Sequence, residues 1–96
     1  MTPFAYPGEP RWNQARDAVE FDLVLGEYRA LVFVPRRDLR PLLGRTPSPE
    51  EAVQAVVVEA SRFERAAEQR VLDRALDADA NITLTGRDLR RQETGG

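Results

Sequence analysis

The chain contains no cysteine, no histidine and no lysine. Without cysteine there is neither a disulfide nor a thiolate nucleophile. Without histidine there is no imidazole base, and without lysine no Schiff base. The usual zinc ligands are missing with them, so neither a metal nor a cofactor is expected. Chemistry would have to rest on carboxylates, hydroxyls or arginine, and an enzyme is the weakest expectation. Long apolar runs are also missing, none approaching the ~20 residues of a membrane helix. Met1–Phe4 offers neither the basic stretch nor the apolar core of a signal peptide. No membrane partner is expected, and the expected location is the cytoplasm. Charge of one sign is scarce too. Fourteen arginines stand against 16 acids for a net −2, a balance that favours no charged partner overall.

The 96 residues, 42% of them hydrophobic, make one domain with one modest core. Its organising stretch is Ser48–Leu76. Ser48 is a good N-cap, Pro49 suits the first helical position, and Glu51 completes a capping box. Val53, Val56, Val57, Ala60, Phe63, Ala67, Val71 and Ala75 then recur at helical spacing. One helix over 49–76 is expected, with Glu59, Arg62, Arg65, Glu68, Gln69, Arg70 and Asp73 toward solvent. No glycine marks its end. From Ser48 it would be about 43 Å long at 1.5 Å per residue, against a diameter of about 32 Å for a domain of this size. It must overhang, bend or break near Ser61. An overhanging apolar stripe predicts a homodimer.

The clearest strands are 18–25 and 28–34. Val19, Phe21, Leu23 and Leu25 alternate with Ala18, Glu20, Asp22 and Val24, and Gly26-Glu27 fits a two-residue type II′ turn. That loop sets Leu25 opposite Tyr28, Leu23 opposite Ala30, Phe21 opposite Val32 and Val19 opposite Val34. This apolar face is the core face, and a slip of one residue would mix it with the other. Leu31 and Phe33 on the second face predict that it is partly covered. Residues 1–13 are proline-rich, with an edge strand at 3–6, a lone Trp12 closing one end of the core and a helical turn from Asn13 to Arg16. A short helix is expected at 36–43, with Leu39, Leu42 and Leu43 inward and Gly44 ending it. Residues 82–84 read as a short strand, Thr85 and Asp88 as the cap of a last turn, and 90–96 as a flexible tail. The expected class is α+β, a small antiparallel sheet packed on the long and short helices.

Four of these segments, in order, carry a resemblance. They are Asp17-Ala18-Val19-Glu20-Phe21, the helix around Leu39, Phe63-Glu64-x-Ala66-Ala67, and Ile82-Thr83-Leu84-Thr85-x-x-Asp88. From Phe4 to about Leu89 the chain resembles the small bacterial proteins catalogued as domain of unknown function 1488. It departs at Leu89, where a phenylalanine is expected, and in the short Gly26-Glu27 loop. The resemblance implies a compact α+β fold with a sheet against helices. It implies no activity and carries over no catalytic residue.

Two sets of residues are candidates for function. Glu64 falls within the apolar stripe, where a charge is unusual unless paired. It is either a carboxylate at the edge of the sheet, paired with an arginine or snorkelling outward, or a functional carboxylate in a pocket with a raised pKa. Arg36, Arg37, Arg40 and Arg45 form one basic cluster, and Arg87, Arg90 and Arg91 a second. Arg36 and Arg40 would share a helix face. Together the clusters could bind nucleic acid or another anionic partner, or they are simply solvated charges. Asp77, Asp79 and Asn81 lack the glycine turn and bidentate glutamate of a calcium loop and read as helix-exit residues. Gly95-Gly96 matches the tail of ubiquitin-like modifiers, but the strand count is wrong for that fold. The functional expectation is a small non-enzymatic binding or regulatory protein. Anion binding through arginine and a carboxylate-based enzyme are the alternatives.

Overall fold

The hairpin read from alternation is the centre of the fold. A computed structural model describes the backbone of residues 3–94 and the side chains of residues 3–90. Strands β1 (Phe4–Ala5), β2 (Arg11–Asn13), β3 (Ala18–Leu25), β4 (Tyr28–Pro35) and β5 (Ile82–Thr83) form one sheet. The β3–β4 pairing has the expected register throughout, from Leu25 opposite Tyr28 to Val19 opposite Val34. Gly26 has φ +63°, as the first central residue of a type II′ turn requires. The face carrying Val19, Phe21, Leu23, Ala30, Val32 and Val34 is buried in the core.

The N-terminal segment runs antiparallel along the free edge of β3 in two pieces. Phe4 and Ala5 pair with Leu25 and Val24, and Arg11–Asn13 pair with Glu20, Val19 and Ala18. Pro7, Gly8 and Pro10 separate the pieces, and prolines cannot donate to the ladder. The helical turn expected at Asn13–Arg16 is instead the end of β2 and a turn over 14–17. There the Asp17 N–H donates to the Gln14 carbonyl at 3.2 Å. Trp12 lies opposite Val19 and packs against the core at the sheet edge.

Beyond β4 a 3-10 turn (Arg36–Leu39) leads into one α-helical turn, α1 (Arg40–Leu43), ended by Gly44 at φ +79°. The tighter 3-10 winding advances about 120° per residue where an α-helix advances about 100°. The three leucines do not all turn inward: Leu39 is buried, Leu42 half-buried and Leu43 exposed. Arg36 and Arg40 belong to different windings, and at about 120° per residue a spacing of four no longer shares a face.

The capping box at Ser48 and Glu51 is present, with Glu51 N–H donating to Ser48 Oγ at 3.2 Å and Ser48 N–H to Glu51 Oε1 at 2.9 Å. The helix it starts is not continuous. Helix α2 (Pro49–Val58) stops at Glu59, whose φ and ψ are −105° and 32°, and α3 (Ala60–Leu72) follows. Three successive β-branched residues, Val56–Val58, precede the break and weaken local helix preference. The buried stripe is Ala52, Val56, Phe63, Ala66 and Ala67, whereas Val57 and Val58 are exposed. Helix α3 ends four residues before Leu76. Arg74 takes the left-handed conformation at φ +56°. Its N–H donates to Val71 and that of Ala75 to Arg70, which is a Schellman closure with arginine in the usual glycine place.

The chain then returns to the sheet as β5, which pairs parallel with β4, Val32 to Ile82 and Phe33 to Thr83. The sheet is therefore mixed, not wholly antiparallel. The helices carry the chain back past the sheet, so β5 re-enters in the direction of β4. Leu84 N–H extends the ladder to the Phe33 carbonyl at 2.8 Å. Thr85 and Asp88 then cap α4 (Gly86–Thr94), with Thr85 N–H donating to Asp88 Oδ2 at 2.9 Å. This helix is longer than the expected turn and occupies residues read as tail. Gly95-Gly96 lies outside the described residues. No described helix is long and apolar enough to cross a membrane.

Candidate ligand-binding cleft

Where the N-terminal segment leaves the sheet edge, a cleft of about 130 Å³ opens between Tyr6–Pro10 and the two long helices. Phe21, Val56 and Phe63 supply apolar wall from strand and helix, and Val57 and Ala60 line it where α2 gives way to α3. Its acidic groups are Asp22 of β3 and Glu64 of α3. The segment over it is tied at Tyr6. The phenol donates to the Glu68 carboxylate and meets the Glu64 carbonyl at 3.3 Å, and its ring is tilted against Phe21 at 6.1 Å.

Glu64 is partly desolvated. Burial pushes its carboxyl above the ordinary range, and the Glu68 charge one turn away adds to the shift. Burial also raises the Tyr6 phenol, and its hydrogen bond to Glu68 raises it further. Asp22 is held differently. Arg11 Nη1 and Nη2 reach its two oxygens at 3.1 and 3.3 Å, while Arg11 Nε donates to Glu20 at 2.6 Å. Of the cleft's polar groups, Glu64 was legible as a charge in an apolar stripe. Tyr6 and Asp22 were not singled out. Their signals were the apolar–polar alternation through the proline-rich segment and the position of Asp22 near the β3 edge.

The described arginines of the two clusters do not form one surface; the Arg91 side chain lies outside the described residues. Arg36 Nε is buried and lies 3.3 Å from Asp17 Oδ1, outside hydrogen-bond geometry. Arg37 is exposed, with Asp38 at 3.8 Å. Arg40 is exposed on α1. Arg45 is paired with Glu51, and that hydrogen bond, with a further one from Ser48, lowers the Glu51 carboxyl to about 2. Arg87 is exposed on α4, whose N-terminus is tied to the 3-10 turn by Gly86 N–H donating to Asp38 Oδ1 at 3.1 Å. Arg90 lines a cleft with Asp38, Pro41 and Leu42. The fold thus brings Arg90 beside the segment that carries Arg37 and Arg40, and sends Arg36 and Arg45 elsewhere.

Arg70 was expected in solvent but joins two elements. It donates to the Thr83 carbonyl at 2.8 Å and lies 3.6 Å from Asp88. Asp77 accepts from the Thr83 hydroxyl at 2.7 Å, and Asp79 accepts from Asn81 N–H at 3.1 Å. These acids organise the exit loop. Among the described residues no three acidic side chains gather as a metal site would require.

One solved structure has this arrangement of strands and helices. The crystal structure of a protein of unknown function from the DUF1488 family of Shewanella loihica PV-4 superposes with a TM-score of 0.78. The match covers 88% of this chain and 93% of that one at 15% identity. The fold is that of a DUF1488 protein. The resemblance carried by Asp17–Phe21, Phe63–Ala67 and Ile82–Asp88 therefore holds at the level of the fold. No family model matches the chain, and no curated protein matches it significantly. That neighbour is described as a protein of unknown function, so a functional reading has to come from the cleft itself.

Proposed function

We propose that this is a small non-enzymatic binding protein of the bacterial cytoplasm, with the cleft beneath Tyr6–Pro10 as its ligand site. The observation that carries the reading is Glu64, a partly desolvated carboxylate lining an apolar-walled cleft. The ligand that suits it has a compact apolar body, for Phe21, Val56 and Phe63, and a cationic head, for Glu64. A small primary amine combines the two. An enzyme is less well supported, because the other polar groups of the cleft are committed. Tyr6 donates to Glu68, and Asp22 is gripped by Arg11. An anionic partner docked across Arg36, Arg37, Arg40, Arg45, Arg87 and Arg90 together is also less well supported, because Arg36 and Arg37 line one cleft, Arg90 a second and Arg45 a third.

The test is an amide-resolved NMR titration with butylammonium and, separately, butanoate. Butylammonium is expected to shift the signals of Gly8, Ala60 and Glu64 saturably, with a dissociation constant on the order of 1 mM (about −4 kcal/mol). Its affinity should rise with pH through the raised Glu64 value, because the ammonium pairs with the ionised form. Glu64→Gln should abolish the response. Equal binding of butanoate, or no saturable shift, would remove the reading. A second inference concerns assembly: we propose a homodimer formed through the exposed face of Leu43, Ala55 and Val58.

A further inference from the structure

At the other end of β3 the sheet carries a second cleft, of about 260 Å³, remote in sequence from the Glu64 site and independent of it. Three arginines line it: Arg16 from the β2–β3 turn, and Arg36 and Arg37 from the 3-10 turn. Among the described residues, Asp17 is the one acid that lines it. Phe33 forms apolar wall, and the Arg16 guanidinium carbon lies over that ring, 4.0 Å from the centroid. This cation–π contact explains how Phe33 stays buried on the sheet's outer face. It also restrains the Arg16 side chain, so less ordering remains for a ligand to impose.

We propose that this cleft binds a phosphate group. Guanidinium forks match phosphate oxygens, and charge-assisted hydrogen bonds to them are the strong kind. The existing partners of these arginines hold them loosely. Asp79 lies 3.7 Å from Arg16 and Asp38 lies 3.8 Å from Arg37, with both arginines well exposed. Exposed pairs of that kind contribute little and are readily exchanged for a tighter anion. Arg36 lies 3.3 Å from Asp17 and keeps about a third of its side chain exposed. The cleft is large enough for a phosphate with a small ester group.

The experiment is an NMR titration of the full chain with inorganic phosphate and with phenyl phosphate, at ionic strength matched with chloride. The side-chain Nε–H signals of Arg16, Arg36 and Arg37 are followed together with the amides of Ala18 and Thr83. Saturable shifts confined to this set are expected, with chloride alone producing none. Arg37→Gln, at an exposed position that folding does not depend on, should weaken binding about tenfold, as should Arg36→Gln. Arg40→Gln should leave it unchanged. Tighter binding of the ester would assign the site to phosphorylated small molecules, and equal binding to free phosphate. Shifts reproduced by chloride, no saturation, or equal weakening by Arg40→Gln would overturn the proposal. So would duplex DNA that binds without competition from phosphate.

Discussion

Glu64 and Phe63 are neighbours in sequence with opposite situations. Phe63 is fully buried at the junction of α3 with the β3–β4 face, among the residues that hold the sheet to the helices. Phe63→Ala should cost about 3–5 kcal/mol, combining lost transfer energy with the cavity left behind. Urea titration measures it, and a loss below about 1 kcal/mol would mean that the ring is not part of the packed core. Glu64 has its carboxyl raised in the folded chain above the ordinary 4.5. Between the unfolded value and the raised one, the folded state holds more protons than the unfolded state. Stability should therefore be greatest below the unfolded value and fall as pH rises through the window. Glu64→Gln removes that slope. Urea midpoints of both proteins across the acidic range should converge at low pH and separate toward neutrality, with the variant the more stable. A wild type that gains on the variant as pH rises would contradict the burial of this group.

At the scale of elements, the parts with strong local signals were legible. The hairpin register followed from one two-residue loop and a period of two, and the start of α2 from Ser48, Pro49 and Glu51. The weaker signals failed for physical reasons. Strand β2 is three residues long and beside prolines, so its pairing with β3 is set by tertiary contact and leaves little periodicity. The parallel direction of β5 depends on the path of the helices before it. The end of α3 was unreadable because the left-handed residue that closes it is Arg74. The left-handed conformation costs a non-glycine residue about 1–2 kcal/mol, and glycine would relieve this while losing roughly 0.5–1 kcal/mol in chain entropy. Arg74→Gly should then raise stability by up to about 1 kcal/mol, whereas Arg74→Ala, still bearing a Cβ, should not. Denaturant midpoints of the two variants decide it, and a destabilised Arg74→Gly would show that the arginine side chain matters more than its backbone. The same limit applied to the cleft. Glu64 stood out as a charge among apolar neighbours, but Tyr6 comes to it from 58 residues away, a distance no local pattern reports.

For the whole molecule, the break at Glu59 changes the argument about assembly. The radius of gyration is 12.5 Å and the extents are 38 × 30 × 24 Å, so two shorter helices fit where one of about 43 Å would have projected. The overhanging stripe that predicted a dimer is gone. The proposed dimer uses a different surface. Leu43 and Val58 are 38% and 70% exposed, and with Leu42 and Ala55 they line one open groove. Its polar residues carry both signs, Arg45 with Glu51 and Glu59. A two-fold axis through the groove would set Leu43 and Val58 of one copy on the same residues of the other, with Arg45 facing the acids of its mate. Such a self-complementary patch is what a two-fold contact needs. Val58 is exposed on the last turn of α2 and contributes nothing to the monomer core, so Val58→Glu should fold normally while placing like charges across the axis. Light scattering at high micromolar concentration should give twice the chain mass for the wild type and a single chain mass for Val58→Glu, with unchanged far-UV circular dichroism. A wild-type monomer at that concentration, or a dimer that Val58→Glu leaves intact, would rule this interface out.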